Sequence, residues 1–263
     1  MAQERQKLTV LIPCKDEAEN IRVCLESIQW ADEILMADSG STDETMAIGK
    51  EFNARIIERE YINSANMKNW AIPQATYDWV LVIDADERCS PELRDEILKT
   101  LEAPNNDGYR IRRRNFVLGR EMKYGDISHD TVLRLFRKAV SKYEDKHVHA
   151  DVNVETGNVG RLNGTFSHYT YRSLTSYFET FNRYTGWAAK DLLAQGKKPG
   201  LYNILFRPCF TFFRSYILRL GIFDGALGFF LSAFSAFYVL AKYAKLWSLS
   251  RAPDLKENSD REP

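Results

Sequence analysis

The chain has 263 residues, with 36 basic and 36 acidic side chains and a formal net charge of zero. That length allows one large domain, or one domain with an appendage, and the balanced charge excludes the basic footprint of a nucleic-acid binder. Cys14, Cys24, Cys89 and Cys209 form no Cys-x-x-Cys pair, which excludes a zinc ribbon or a disulfide framework and fits a reducing, cytosolic compartment.

The N-terminal MAQERQKLTV lacks the apolar core of a signal peptide. Leu8 to Pro13 (LTVLIP) reads as a buried strand. Asp16 to Gln29 follows as a helix, with Ile21, Cys24, Leu25 and Ile28 on one face and an Asp16/Glu19 capping box. The cycle repeats with a strand at Glu33 to Asp38 and a Ser41/Glu44 cap opening a helix to about Phe52. A short strand at Arg55 to Glu58, a helix around Ala65 to Gln74 and a strand at Trp79 to Asp84 come next. Ser90-Pro91 places an N-cap before a first-turn proline, starting a helix to about Leu101. Strands alternating with helices predict an α/β fold with a mainly parallel central sheet.

From Tyr109 the pattern changes to strands at Tyr109 to Leu118, Thr131 to Lys138 and Arg161 to Tyr169. A long helix spans Ser173 to Ala194, and Gly-Lys-Lys-Pro-Gly (196–200) is a linker. The expected division is a catalytic domain over 1–195, with its halves at about 8–105 and 106–195. An apolar helical region over 196–249 and a disordered polar tail over 250–263 complete it.

In an open α/β sheet ligands bind beyond the carboxyl ends of the strands. Asp38 ends the second strand, and Asp84 and Asp86 end the fourth, after four consecutive apolar residues. The strand ends therefore gather carboxylates on one rim. No Gly-x-Gly-x-x-Gly turn and no Gly-x-x-x-x-Gly-Lys-Ser/Thr loop occurs, so phosphates need another partner. A divalent cation, Mg²⁺ or Mn²⁺, on the Asp-x-Asp pair is the direct route. Glu87 takes no role in this reading and faces solvent or a nearby arginine.

The segments LTVLIPCKDEAENIRVCLESI, MADSGSTDET and MKNWAIPQATYDWVLVIDADER, followed by RRRNFVLGR, LRLF and VGRLNGTFSHYTYRS, resemble glycosyltransferase family 2. The bacterial lipopolysaccharide-core branch of that family is the most similar, and the resemblance reaches about Lys245. It implies a GT-A fold and roles residue by residue. Asp38 matches the acid that contacts the donor's uracil or ribose, and Asp84 the acid near the ribose. Asp86 matches the ligand of the metal that bridges the donor diphosphate. Pro13, Lys15 and Glu17 match the loop bordering the nucleotide. Lys68 matches a basic position near it, beside Asn69; taken alone, Lys68 reads equally as a solvated helix residue.

The same resemblance places an acid after Val-His, where this chain has Ala150, followed by Asp151. Asp151 is the candidate general base, with Asp130 and Glu144 as further carboxylates. His147 and His149 form a His-x-His pair; the resemblance favours His149 as an active-site residue, and His168 is a further histidine. Arg110, Arg112 and Arg114 share a strand face. With Arg113 they read either as a solvated face or, with Arg112 and Arg114 toward the acceptor, as anion-binding groups.

Gly225 to Ala241 carries no charge, and Lys242 and Lys245 follow. About 17 apolar residues is the lower edge of a membrane span, and the basic flank suits an interfacial helix. Pro208 is expected to break or kink a helix there. A buried hairpin is the alternative, and a homo-oligomer is left open.

The resemblance thus implies an inverting, metal-dependent glycosyltransferase that uses a nucleotide sugar, with a UDP-sugar as the expected donor. Its acceptor would be a lipid-linked or cell-envelope glycan, reached from the cytoplasmic face of the cell membrane. A catalytically silent, membrane-associated nucleotide-sugar binder is the competing reading, because of Ala150. A dehalogenase-type phosphatase fits less well, since its nucleophile normally sits on the first strand.

Overall fold

The computed structural model describes residues 4–144 and 151–251. Its elements are β1 (Leu8–Cys14), α1 (Ala18–Glu26), β2 (Glu33–Asp38), α2 (Thr45–Glu51), β3 (Arg55–Glu58), α3 (Ser64–Ala71), β4 (Trp79–Val82), β5 (Glu87–Cys89) and α4 (Pro91–Thr100). Then come β6 (Gly108–Val117), β7 (Arg120–Glu121), β8 (Thr131–Arg137), β9 (Ser141–Tyr143), β10 (Val152–Val154), β11 (Val159–Tyr171), α5 (Leu174–Ala194), α6 (Leu201–Phe213) and α7 (Gly225–Arg251). They divide into two compact units. One runs to Glu121 and resumes over His129–Thr170; the other comprises Met122–Ser128 and the chain from Tyr171.

The first unit is a GT-A-type α/β sheet. Among the described residues its strand order is β3-β2-β1-β4-β8-β6-β11-β5, with β7 on β6. The β3-β2-β1-β4 half is parallel, and β8 adds antiparallel to β4. β1 is apolar on both faces because both are covered. Val10, Ile12, Ile21, Leu25 and Ile97 share one core, while Leu11, Leu35, Val80, Met67 and Ala71 share the other. This two-sided packing fixes the carboxyl ends of β2 and β4 side by side across β1.

Two expected helix caps are spent elsewhere. Asp16 has a positive φ of 50° and its carboxylate accepts the Thr42 N–H at 2.7 Å, so it does not cap α1. The Ser41 hydroxyl accepts the Asp16 N–H at 2.9 Å, so it does not cap α2. Loop-to-loop bonding between the β1 and β2 ends takes both side chains. Ser90 does cap α4, accepting the Leu93 N–H at 3.2 Å.

In the second unit α5 packs along α7. Phe181 stacks on Phe237 at 5.2 Å, and Lys245 Nζ donates to the Asn182 carbonyl at 2.7 Å. The two compact units divide at 170/171, which groups α5 with α7. α6 runs unbroken through Pro208, against the expected break, and ends in a single π turn over Arg214–Leu218. The run Gly221–Arg251 is long and apolar enough to cross a membrane by length and composition. The tail from 252 lies outside the described residues.

Candidate functional site

Two turns at the carboxyl ends of parallel strands carry the acids. At the end of β2, Asp38 has no exposed surface. Its Oδ2 accepts the N–H groups of Gly40 and Ser41, both at 2.8 Å, and its Oδ1 accepts the Ser41 hydroxyl at 2.5 Å. Asp38 thereby holds the 39–41 turn. Nearby, Pro13 lies in β1 opposite Ala37, and Lys15 is exposed just beyond the strand. The Glu17 N–H donates to Thr45 Oγ1 at 2.7 Å.

Beyond β4 the chain turns tightly, the Glu87 N–H donating to the Asp84 carbonyl at 2.9 Å. Asp84 then meets two cations. Lys68 Nζ stands 3.1 Å from Oδ1, and Arg134 bonds Oδ2. Lys68 and Arg134 are 7% and 5% exposed, so these charges sit in a screened environment. Burial alone would push the Asp84 carboxyl up. The Arg134 and Lys68 charges outweigh it and hold the group well below the usual carboxylate range. Lys68 is thus a buried partner of Asp84, not a solvated helix residue.

Glu87 is fully buried, and of its two expected surroundings, solvent or an arginine, it has the second. Its Oε2 accepts the Asp84 N–H at 2.8 Å, and its Oε1 lies 3.2 Å from Arg113 and 3.6 Å from Arg134. Arg113 reaches on to Asp130 at 2.6 Å. Alternation along β6 explains why Arg113 joins this cluster while Arg112 and Arg114 are exposed. Arg114 is held in a two-point pair by Glu121, at 2.7 and 2.8 Å.

Asp86 has a different neighbour. His168 Nε2 lies 3.3 Å from its Oδ2, and His168 Nδ1 lies 2.6 Å from Asn115 Oδ1. Asn115 Nδ2 donates to Asp130 at 3.4 Å. That donation fixes the amide orientation, so Asn115 Oδ1 is an acceptor and Nδ1 of His168 carries the proton. With a proton on Nε2, His168 pairs with the Asp86 carboxylate; without it, Nε2 offers a lone pair to a cation held beside Asp86. Burial would push the His168 pKa down, but the bond and charge of Asp86 raise it overall.

A hard cation fits this pair, because one carboxylate oxygen and one imidazole nitrogen face the same space while Asp84 is already neutralised. Among the described residues no three His, Cys, Asp or Glu side chains form a metal cluster. Mg²⁺ and Mn²⁺ commonly complete their shells with substrate phosphate and water.

The candidate base Asp151 pairs with Arg110 at 2.5 Å, and both side chains are partly exposed. His149, with His147 and Ala150, lies outside the described residues. Asn69 bonds Tyr143 in both directions, at 3.0 and 2.9 Å, so it positions β9. The residues given no site role in the sequence are Asn115 and Arg134. Arg134 left a trace: it is a lone charge inside the apolar strand VLRLF.

Residues 9–157 match the model of Glycosyl transferase family 2. A glycosyltransferase of Rickettsia bellii is 31% identical over 273 residues, covering 95% of this chain and 92% of its own. The lipopolysaccharide core biosynthesis glycosyltransferase of Rhizobium meliloti is 29% identical over 263 residues, covering 95% and 96%. Glucosyl-3-phosphoglycerate synthase from Mycobacterium tuberculosis, with Mn²⁺, UDP and glucosyl-3-phosphoglycerate, aligns over 42% of this chain and 44% of that one, at 21% identity and a TM-score of 0.37. With phosphoglyceric acid the same protein aligns over 65% and 75%, at 16% identity and a TM-score of 0.49.

Proposed function

The chain belongs to glycosyltransferase family 2, and from that premise we propose an inverting, metal-dependent transfer from a nucleotide sugar, a UDP-sugar, to a lipid-linked envelope glycan such as lipopolysaccharide core. The carrying observation is the split between the two acids of one motif. Asp84 is saturated by Lys68 and Arg134, whereas Asp86 faces the Nε2 of His168. Asp86 and His168 would hold Mg²⁺ or Mn²⁺, which when bound neutralises charge developing on the departing diphosphate.

The chain's own residues supply the rest. Asp84, rigidly held, positions the donor ribose, and Asp38 shapes the neighbouring turn so that Pro13, Lys15 and Glu17 border the nucleotide. The acceptor hydroxyl attacks the anomeric carbon opposite the leaving diphosphate, which inverts that centre. Asp151 takes the hydroxyl proton after Arg110 releases the carboxylate, and His149 remains the candidate active-site histidine. Arg112, exposed on β6, is the arginine left to meet an anionic acceptor. The similarity to the Rhizobium meliloti enzyme supports the acceptor class, and the apolar C-terminal helix supports a site on the cytoplasmic membrane face.

A silent nucleotide-sugar binder is the second reading, favoured by the Arg110–Asp151 pair and by Ala150. Calorimetry with UDP-sugars, followed by transfer assays on lipopolysaccharide-core acceptors, separates the two. Turnover supports the transferase; donor binding with no transfer to any acceptor supports the silent binder.

A further inference from the structure

α6 turns small and hydroxyl-bearing groups inward, together with Ile204, and its largest apolar groups outward. Toward α7 it buries Pro208, Thr211 and Ser215, with Ser232 of α7 donating to the Ser215 hydroxyl at 3.1 Å. Beside it Gly228 of α7 lies against the turn, where an added Cβ would stand 2.0 Å from the Gly221 carbonyl oxygen. The opposite face carries Leu201, Tyr202, Leu205, Phe206, Phe210 and Phe213, which are 48% to 76% exposed. A water-facing helix shows the reverse pattern. Small and hydroxyl-bearing contacts between helices, with large apolar groups outward, are what helices in contact with lipid use.

Charge says which lipid. No acid falls between Asp191 and Asp224, while Lys197, Lys198, Arg207, Arg214 and Arg219 do. Arg214 and Arg219 pair with Asp126, and the remaining Lys197, Lys198 and Arg207 beside an apolar stripe are complementary to an anionic bilayer surface.

Connectivity says which orientation. The turn after α6 is tied to the loop Met122–Ser128: the Tyr124 N–H donates to Asp224 at 2.9 Å, and Asp126 pairs with Arg214 and Arg219 at 2.8 and 2.6 Å. That loop lies between β7 and β8. Seven residues reach at most about 25 Å when extended, less than the roughly 30 Å of hydrocarbon, and they would have to return. A turn tethered by so short a connection does not cross the hydrocarbon. Carrying the other end of the hairpin across would take α5 with it, and α5 bears Glu179, Arg183, Lys190 and Asp191.

We propose that the outer face of α6 lies in the headgroup–acyl boundary of an anionic bilayer, parallel to its plane, so that α7 does not span. This rests on the membrane reading above and adds the surface and its orientation.

The test uses the full chain and vesicles of phosphatidylcholine with and without phosphatidylglycerol. Cys209 is exposed on α6 while the other three thiols are buried, so it takes an environment-sensitive dye. The expected result is sedimentation with phosphatidylglycerol vesicles, a blue shift of the dye, and stronger quenching by shallow than by deep lipid quenchers. A Phe206→Glu/Phe210→Glu variant should bind vesicles at least roughly tenfold more weakly, and Leu174→Glu on α5 should not. Circular dichroism and donor turnover show that each variant is folded. Deep quenching, unchanged binding by the double variant, or a vesicle-free dimer dissolved by that variant would each overturn the proposal. Asp86→Ala should lose turnover and still bind vesicles, so failure of the catalytic reading is seen separately.

Discussion

The carboxylate of Glu87 accepts the backbone N–H of Asp84 at 2.8 Å, while its other oxygen faces Arg113 at 3.2 Å. One buried acid thus fixes the turn that presents the Asp-x-Asp motif and anchors an arginine from β6. Glu87→Gln keeps an acceptor for the N–H but removes the charge that Arg113 and Arg134 face. Breaking a buried pair costs about 3–5 kcal/mol, so the urea midpoint should fall accordingly. A change under about 0.5 kcal/mol, the range of an ordinary surface substitution, would contradict the assignment.

Lys68→Met conserves volume and leaves Asp84 with Arg134 alone. Losing a bond to a buried charged group should cost about 1–3 kcal/mol at neutral pH. The Asp84 carboxyl is held low in the folded state, so the native form binds its proton less readily than the unfolded one. Stability from these pairs is therefore full above about pH 4 and is lost as pH falls below it. Wild-type stability should therefore fall between about pH 4 and about pH 2, and a flat profile there would contradict the pairing of Asp84.

The thiols should divide three to one. Burial pushes the Cys89 thiol up to about 12, and burial with the nearby Asp38 pushes Cys14 up further. Burial also raises Cys24 well above its ordinary value. Cys209 is exposed. Thiolate, not thiol, reacts, so native protein should take up one equivalent of maleimide quickly and the remaining three only in denaturant. Rapid native labelling of Cys14 or Cys24 would contradict the packing around β1 and α1.

Asp151→Asn should lower kcat roughly 10²- to 10⁴-fold with the donor KM nearly unchanged, as loss of a general base does. Rates within a factor of three of wild type would remove Asp151 from the chemistry.

Much of the first unit was legible. β1 announced itself as LTVLIP because both of its faces are covered, and Ser90-Pro91 marked α4 because its cap acts within its own helix. The caps at Asp16 and Ser41 misled because tertiary partners took those side chains. Asp38, Asp84 and Asp86 stood out as acids after apolar runs. Their partners did not, since Arg113, Asn115, Arg134 and His168 come from β6, β8 and β11, and only the antiparallel half of the sheet brings them across. Glu87 left solvent and an arginine open as surroundings, because nothing local reveals Arg113 and Arg134. The boundary at 170/171 was hidden because α5 shows which helix it packs on only once α7 is in place.

The central claim is that Asp86, paired with His168, is the metal-binding half of the motif. The direct measurement is Mn²⁺-dependent turnover of a UDP-sugar by wild type and by Asp86→Ala, with Mn²⁺ affinity read by calorimetry in the presence of UDP. The account predicts that EDTA abolishes wild-type turnover, that Mn²⁺ restores it, and that Asp86→Ala loses both turnover and the Mn²⁺ heat. Equal turnover and equal Mn²⁺ binding in the two proteins would contradict it.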